Sequence, residues 1–442
     1  DGEAPAPAPA VVTSFGHAAD APEARLSSMF VREDDEAVAA RRARGTEPLA
    51  DMCGTGMPIA DAFPCASDSS EGRSRILPHP ERPAWAADTS ASELERQEHD
   101  YFAQWCDATL QRLRGTSEDV APFELNLEVW RQLWRVIEQS DAIVLICDVR
   151  NPTYYLPPSL VRHVFDRGAR LVVVLSKVDL VADEHVRSWV RYLGRVLPSA
   201  GIVEFCSRPP GEPPGGRMGL GTVGARRKWL RRRCRQDEVD AHLLEMSRKL
   251  LAVALPGTKE TGVEAPPSEG KGPGGAMAVG LLGFPNVGKT SVLNALAGRK
   301  AASVSGTAGH TKHLQHIRIQ EELHPHAYVL DCPGLVFPSL RPRAEAELSG
   351  ALPLAQVRET VSAVRLLGER LNLPKIYSLR VPEWYDEGEP WSPHMILEAY
   401  AEKYKYFLPR SGSPDVHRAG LELLKDAKEG ALLLVYAPPI LD

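Results

Sequence analysis

The sequence lacks the features that define several large classes of protein. Its seven cysteines are odd in number and scattered, without the paired spacing of a zinc site, so they predict reduced thiols in an intracellular protein. No apolar run reaches the roughly 18–20 residues that a membrane helix requires. The net charge of −6 gives no overall attraction to nucleic acid, so any such binding must come from a local basic patch.

The beginning of the chain has little pattern. It starts at Asp1 and not at methionine, and DGEAPAPAPA lacks the basic start of a signal peptide, so we expect a fragment without its true start. Residues 1–90 are rich in Ala, Pro, Ser and charge, which predicts a largely disordered region.

Periodic patterns follow from there to the end of the chain. Residues 91–140 have the spacing of helices and form a helical lead-in. Over 141–344 apolar strands alternate with helices, which predicts a mostly parallel sheet with helices on both faces. Residues 209–276, dominated by Pro, Gly, Arg and Lys, form a linker or insert with one helix. Residues 345–442 predict a smaller, mostly helical domain that closes with a short strand at ALLLVY, 431–436.

The string GFPNVGKT has the spacing of a phosphate-binding loop between an apolar strand and a helix. Backbone N–H groups of such a loop surround phosphates, and the helix N-terminus adds a favourable dipole. Lys289 is predicted to contact the β- and γ-phosphates, and Thr290 to bind Mg²⁺. The predicted nucleotide-binding residues here are Gly283, Phe284, Pro285, Asn286, Val287, Gly288, Lys289, Thr290 and Ser291. The alternative is a chance glycine turn before a helix.

The string DCPG ends a later strand and matches the acidic motif of such a site. Asp331 is predicted to hold Mg²⁺ through water, and Gly334 to bring a backbone N–H to the γ-phosphate. Cys332 and Pro333 complete the motif. Between the two motifs Thr307 and Thr311 are candidates for the metal shell, and Thr311 is better placed because it precedes a predicted strand. The predicted catalytic groups are Lys289, Thr311 and Gly334, and the predicted metal ligands are Thr290, Thr311 and Asp331.

The segment VVVLSKVDL, residues 172–180, ends an apolar strand on charged groups that suit a guanine base. A carboxylate accepts both N–H donors on one edge of guanine, and adenine lacks that donor pair. Asp179 is therefore the predicted base reader, with Lys177 along the ring and the Ser207 backbone N–H near guanine O6. The base site comprises Ser176, Lys177, Val178, Asp179 and Ser207. A solvated turn after a core strand is the alternative interpretation.

The base motif precedes the phosphate loop, the reverse of the usual order. The strands before the linker therefore form the second half of a nucleotide-binding sheet, and those after it the first half. The predicted fold class is α/β: a circularly permuted P-loop domain with a six-stranded, mostly parallel sheet and motif order G4-G5-G1-G2-G3. A smaller, mostly helical C-terminal domain follows.

The sequence resembles the circularly permuted GTPases of the YlqF/YawG class, also called MMR/HSR-type, over about residues 123–442. The matching strings are LNLEVWRQLWRVIEQSD, DVRNP, GFPNVGKTSVLNAL, GTAGHT and DCPGLVFPSL, in that order. The resemblance implies binding of GTP and GDP with Mg²⁺, slow GTP hydrolysis, and a switch role in ribosome biogenesis in the nucleolus, nucleus or cytoplasm. It assigns the base motif to 176–179 and the switch threonine to Thr311.

Three positions bear on activity. Ser176 stands where the family usually has Asn, and its shorter side chain predicts the loss of one hydrogen bond, on the order of 1 kcal/mol. Leu335 stands where a Ras-like enzyme has the glutamine that orients water, and an apolar side chain cannot do so. Asn286 matches a position that helps to hold K⁺ in similar apolar-substituted GTPases, which predicts K⁺-stimulated, slow turnover. A plain turn residue is the alternative.

Other functions stay open on the sequence. Leu335 and Ser176 also suit a GTP-binding scaffold that does not hydrolyse, whereas Asp179 argues against an ATP-using enzyme, because a carboxylate repels adenine N1. The basic string from Arg226 to Arg235, around Trp229, is a candidate contact for ribosomal RNA or pre-ribosomal particles, together with the C-terminal domain. A nuclear-import signal and a solvated basic loop are its alternatives.

Overall fold

The computed structural model describes most of the chain. The described residues are 28–30, 33–50, 57–64, 76–86, 88–114, 121–209, 211, 222–232, 234–255, 270–298 and 316–440. The switch candidates Thr307 and Thr311 lie outside them, as do residues 1–27 of the predicted disordered region. Among the helices of the described ranges, none has the length and apolarity to cross a membrane.

A six-stranded sheet lies at the centre of the described structure. Its strands are β1 (Ala142–Asp148), β2 (Arg170–Ser176), β3 (Gly201–Glu204), β4 (Met277–Gly283), β5 (His316–Arg318) and β6 (Ala327–Asp331). They lie in the order β3-β2-β1-β4-β6-β5, and all neighbours are parallel except β5 and β6. Ile146 of β1 pairs with Gly283 of β4, so the two halves of the chain meet at mid-sheet. The predicted permuted α/β fold is confirmed.

Helices cover the sheet and form the rest of the described structure. They are α1 (Asp35–Ala43), α2 (Ala91–Arg114), α3 (Leu127–Gln139), α4 (Pro158–Asp166), α5 (Asp183–Val196), α6 (Val223–Leu230), α7 (Gln236–Ala254), α8 (Lys289–Ala297), α9 (Arg343–Ser349), α10 (Val361–Arg370), α11 (Leu373–Tyr377), α12 (Pro393–Tyr404) and α13 (Val416–Glu429). Strands β1, β2 and β4 are almost wholly buried apolar runs, as expected where helices cover both faces.

Helix α3 packs directly on the sheet. Its Asn126 N-cap accepts a hydrogen bond from the Glu128 backbone N–H, and its apolar stripe includes the fully buried Trp130. A Cβ at Gly280 of β4 would lie 2.6 Å from Val136 Cγ1, so only glycine allows this close approach. The Trp130 and Trp134 indoles donate to the carbonyls of Glu124 and Pro80, at 3.0 and 2.8 Å. These tryptophans are core residues.

Parts of the region before residue 90 are ordered, which differs from the predicted disorder. Helix α1 packs on the C-terminal helices, where Arg41 Nε lies 3.1 Å from Glu359 Oε1. The Leu49 N–H donates to the Trp391 carbonyl at 2.9 Å, and Ile59 forms a parallel bridge with Ala437. These contacts join positions far apart in the chain. A local sequence pattern therefore does not predict them.

The C-terminal helices surround a second apolar core, which includes Tyr400 and Leu423. The predicted closing strand at 431–436 is wrong. The segment pairs with no neighbouring strand: the Leu432 N–H donates to the Asp426 carbonyl of α13 at 3.0 Å, and the Tyr436 N–H donates to the Arg150 carbonyl at 2.8 Å. The apolar run is buried between the two cores without joining a sheet edge.

Candidate nucleotide-binding site

The phosphate-loop and base motifs lie side by side at the carboxyl ends of β4 and β2. Ser176, the last residue of β2, places its hydroxyl oxygen 2.6 Å from the Val287 carbonyl of the phosphate loop, 111 residues away in sequence. The same oxygen lies 3.0 Å from the Cys147 carbonyl. Ser176 is buried beneath the loop. Its hydroxyl thus braces the loop, although the side chain is shorter than the family's asparagine.

The phosphate loop has the backbone of an anion-binding turn. Gly288 has a φ of 104°, which other residues rarely adopt, and it immediately precedes α8. The loop also touches the acidic motif, since a Cβ at Gly334 would lie 3.0 Å from Pro285 Cα. A side chain at Gly334 would therefore separate the two motifs.

Asn286 has a left-handed backbone, with a φ of 62°. Its side-chain Nδ2 donates to the Gly350 carbonyl at 2.7 Å, just beyond α9. Asparagine tolerates this conformation better than most residues do. The residue is therefore both a turn residue and a link between the loop and the end of α9.

The two charged groups predicted to bind phosphate and metal are paired with each other. Lys289 Nζ lies 3.0 Å from Asp331 Oδ1, and both side chains are buried. Thr290 follows Lys289 in the first turn of α8. A threonine hydroxyl and a carboxylate are hard oxygen ligands, so these two side chains fit Mg²⁺.

Several predicted site residues are too buried to offer a side chain to a ligand. Phe284, Val287 and Cys332 have exposed fractions of 4%, 1% and 1%. The Phe284 ring packs against Tyr154 and Tyr155, with both centroids 5.6 Å away. Burial raises the pKa of the Cys332 thiol to about 12, so it is a neutral core residue. These positions contribute backbone groups to the site and pack their side chains in the core.

A pocket opens beside the phosphate loop at the predicted base-binding end. It is lined by Ser176, Lys177, Asp179, Leu180, Phe205, Ser207, Arg208, Leu230, Gly288, Ser291 and Glu429. Both predicted base readers, Asp179 and Ser207, are among these residues. Leu230 comes from the linker helix α6 and Glu429 from α13. No local sequence signal pointed to either of them.

Burial and paired charges set the electrostatics of this pocket. Burial raises the pKa of Asp179, with Arg208 acting in the opposite direction. Lys177 Nζ lies 2.8 Å from Asp148 Oδ2. Burial opposes ionisation of Asp148, but the charges of Arg150 and Lys177 outweigh it and hold its pKa well below the usual range. Lys177 is thus held in place by its ion pair with the buried Asp148 carboxylate.

Arg150, in the string DVRNP, joins the base loop to the C-terminal helices. Its guanidinium donates to both oxygens of Asp148, at 3.0 and 2.7 Å. It also donates to the carbonyls of Ala427 and Lys428 at the end of α13, the latter at 3.2 Å. The Ala427 carbonyl also accepts from the Gly430 backbone N–H at 3.3 Å, so Arg150 adds a buried cation to the C-terminal end of α13.

The Arg150→Met variant tests this buried link. It leaves the Ala427 and Lys428 carbonyls without their cation and removes one of the two charges that stabilise Asp148. We expect a loss of about 3 kcal/mol in the free energy of unfolding, measured by urea denaturation without nucleotide. The Lys249→Met variant removes an exposed pair with Glu245 and should stay close to wild type. Equal stability of the two variants would contradict the role of Arg150.

The basic string at 226–235, the candidate contact for ribosomal RNA, is only partly available to a partner. Arg226 is buried, and its guanidinium lies 3.4 Å from the carbonyls of Gly430 and Leu180. Arg227 Nε pairs with Asp426 Oδ1 at 2.7 Å. Trp229 is buried as well. Among the described residues of this string, the basic side chains that stay exposed are those of Lys228, Arg231, Arg232 and Arg235.

Fold and site together define a circularly permuted P-loop nucleotide-binding domain. The profile of a family described as "50S ribosome-binding GTPase" matches residues 278–367. Guanine nucleotide-binding protein-like 1 of Mus musculus is 37% identical over 404 residues, which cover 82% of this chain and 65% of that protein. Large subunit GTPase 1 of Schizosaccharomyces pombe is 36% identical over 372 residues, covering 81% and 58%.

Among solved structures, GNP-bound YlqF from T. maritima is 17% identical, with a TM-score of 0.41 over 70% of this chain and 97% of that one. The chain spans about 65% of the length of the mouse relative. The similarity to the two relatives extends over more than four fifths of this chain. Over most of its own length the chain is thus similar to one protein named as guanine nucleotide-binding and to another named as a GTPase.

Proposed function

We propose that the protein binds GTP and GDP with Mg²⁺ and hydrolyses GTP slowly. The observation that carries this proposal is the shared pocket of Asp179 and the phosphate loop, which puts a base-reading carboxylate beside a phosphate-binding turn. Burial of Asp179 strengthens hydrogen bonds to guanine, because water competes less for the carboxylate. The similarity to proteins named as guanine nucleotide-binding protein-like 1 and large subunit GTPase 1 supports the same activity.

Each proposed role follows from the position of the residue. When nucleotide binds, the Lys289 ammonium leaves Asp331 and contacts the β- and γ-phosphates. Thr290 and Asp331 then hold Mg²⁺. Bound Mg²⁺ supplies positive charge that stabilises the transferring phosphoryl group. Gly334 offers its backbone N–H to the same group, and Thr311 is the proposed switch ligand. Asp179, Lys177 and the Ser207 N–H orient the base.

Competition for a fluorescent GDP analogue in Mg²⁺ buffer tests the binding proposal. GTP and GDP are expected to displace the analogue, and ATP is expected to leave it bound. The physical reason is that adenine presents an acceptor where guanine presents a donor to Asp179. Equal displacement by ATP, or no binding at all, would overturn the proposal.

A GTP-binding scaffold without turnover is the second candidate function. Leu335 favours it, since its side chain is only 2% exposed and packs in the core, so it cannot orient an attacking water. Single-turnover hydrolysis in K⁺ and in Na⁺ buffers separates the two functions. Slow turnover that is faster in K⁺ supports the enzyme and a K⁺ ion near Asn286. Equal slow rates remove the K⁺ proposal alone, and no turnover in either buffer supports the scaffold.

The partner proposed for this nucleotide switch is the large ribosomal subunit or a precursor of it, in the nucleus, nucleolus or cytoplasm. Support comes from the relatives, one called a large subunit GTPase, and from the family description. The proposed contact surface comprises the exposed basic residues of 228–235 and the C-terminal helices. Co-sedimentation with large subunits should be stronger with a GTP analogue than with GDP. Absence of co-sedimentation in both states would contradict this partner.

A further inference from the structure

Three side chains of metal-ligand type meet away from the nucleotide pocket. His79 and Glu81 come from the segment 76–86, which precedes α2, and His163 comes from α4. One ligand atom from each lies within 4.8 Å of the other two. In the described part of the chain, no other group of three His, Cys, Asp or Glu residues meets this criterion. Two segments about 80 residues apart thus converge here.

His79 is arranged as a metal ligand is. Its exposed fraction is 2%, and its Nδ1 lies 3.1 Å from the Ser159 hydroxyl. Its Nε2 is buried and has no hydrogen-bond partner among the described residues. Ligating histidines typically donate the other ring N–H to a neighbouring oxygen, which fixes the tautomer. Ser159 fits that supporting role, and the Nε2 lone pair stays available.

The protonation state of His79 also suits a metal. Burial, with a smaller contribution from His163, lowers the pKa of His79 to about 3. The ring is therefore neutral near pH 7, which is the form that binds a metal ion. A buried nitrogen without a partner is unfavourable, so an ion bonded to Nε2 would remove that penalty.

Glu81 and His163 complete the group from the solvent side. His163 Nδ1 lies 3.0 Å from Glu81 Oε2, and the Glu81 side chain is 57% exposed. The neighbouring cation, Arg82, points elsewhere and pairs with Glu98 and Glu138. Arg82 therefore does not compete for the Glu81 carboxylate. The exposure of this carboxylate provides a path for an ion to enter.

We propose that His79, Glu81 and His163 bind a divalent transition-metal ion, with Zn²⁺ the best match. Two imidazole nitrogens and one carboxylate oxygen form a known three-ligand zinc set, with water in the fourth position. Imidazole ligands disfavour Mg²⁺ and Ca²⁺, which prefer oxygen. The ion fastens the segment 76–86 to α4. It thereby holds the region before α2 against the nucleotide-binding domain.

Zinc titration of the full chain tests the site. Metal-free protein, prepared with a chelator, is titrated with Zn²⁺ against a chromophoric chelator. Wild type is expected to bind one tight equivalent that Glu81→Gln and His163→Asn weaken by about tenfold or more. Both residues are at least partly exposed, so the variants should fold, and thermal unfolding without metal checks this. Co²⁺ should give the visible absorption of a low-symmetry site in wild type only.

The control addresses the strongest competing pair of ligands. Cys206 Sγ lies 3.3 Å from His242 Nε2, so His242→Asn removes this second pair of zinc-type ligands. This variant is expected to keep the tight equivalent. The proposal fails if His242→Asn loses the tight equivalent while Glu81→Gln and His163→Asn keep it. It fails equally if wild type shows no tight equivalent, which would leave a plain side-chain contact between His163 and Glu81.

Discussion

The Asp179→Asn variant is expected to lose GTP affinity by roughly a hundredfold and to gain affinity for XTP. The carboxylate accepts hydrogen bonds from guanine N1–H and N2–H₂, and each charge-assisted bond contributes about 1.5–3 kcal/mol. An amide places an N–H₂ donor against one of these donors. Xanthine presents a carbonyl oxygen at that position, so it pairs with the amide. Affinity for ATP should stay as weak as in wild type.

Competition with fluorescent GDP, GTP, XTP and ATP measures this change of specificity. The matched control is Glu204→Gln, at the exposed end of β3, because it removes a carboxylate near the same sheet edge but outside the pocket lining. It should bind GTP as wild type does. Tighter XTP binding by Asp179→Asn also shows that the variant is folded. An unchanged preference for GTP would mean that another group reads the base.

The elements that the sequence predicted well are those with local causes. β1 and α5 belong to the predicted alternation of strands and helices, because β1 is a continuous apolar run and α5 a sharply amphipathic helix that begins with two acidic residues. The phosphate loop and α8 are likewise encoded by one short string. Even the meeting of the two motifs was predictable, since parallel strands bring their carboxyl ends to one edge of the sheet.

The features that were missed depend on distant contacts. The order of α1 rests partly on the Arg41–Glu359 pair, whose members are 318 residues apart in sequence. In the sequence Arg150 is one residue of a motif. In the structure its guanidinium donates to the Ala427 carbonyl near the end of α13, 277 residues away in sequence. The same helix supplies Glu429 to the base pocket. Such contacts appear only once the C-terminal helices are packed against the sheet, and no local pattern encodes them.

The Lys289→Ala variant is expected to lose nucleotide affinity by more than a hundredfold. In the structure Lys289 Nζ lies 3.0 Å from Asp331 Oδ1, at the turn that is shaped to bind phosphate. Its ammonium is the charge proposed to contact the β- and γ-phosphates, in a buried place where charge interactions are strong. The loss should be larger for GTP than for GDP, because GTP carries the additional γ-phosphate.

Fluorescent-nucleotide titration measures both losses, with Lys271→Ala as the matched control. Lys271 Nζ donates to the Ser140 carbonyl at 2.9 Å, at the opposite edge of the same sheet. Its removal changes the charge of the domain equally but leaves the phosphate loop intact, so binding should stay at the wild-type level. Equal losses in the two variants would point to overall charge and not to the phosphate contact.

Thermal unfolding separates a lost phosphate contact from a lost fold. Without nucleotide, Lys289→Ala should still unfold cooperatively, because the apolar core around the sheet is unchanged. With GDP at a hundred times the wild-type Kd, wild type gains about 2.7 kcal/mol by mass action. The variant should gain almost nothing, since its affinity is too low at that concentration. A cooperative transition that GDP still raises as in wild type would show that Lys289 does not bind the phosphates.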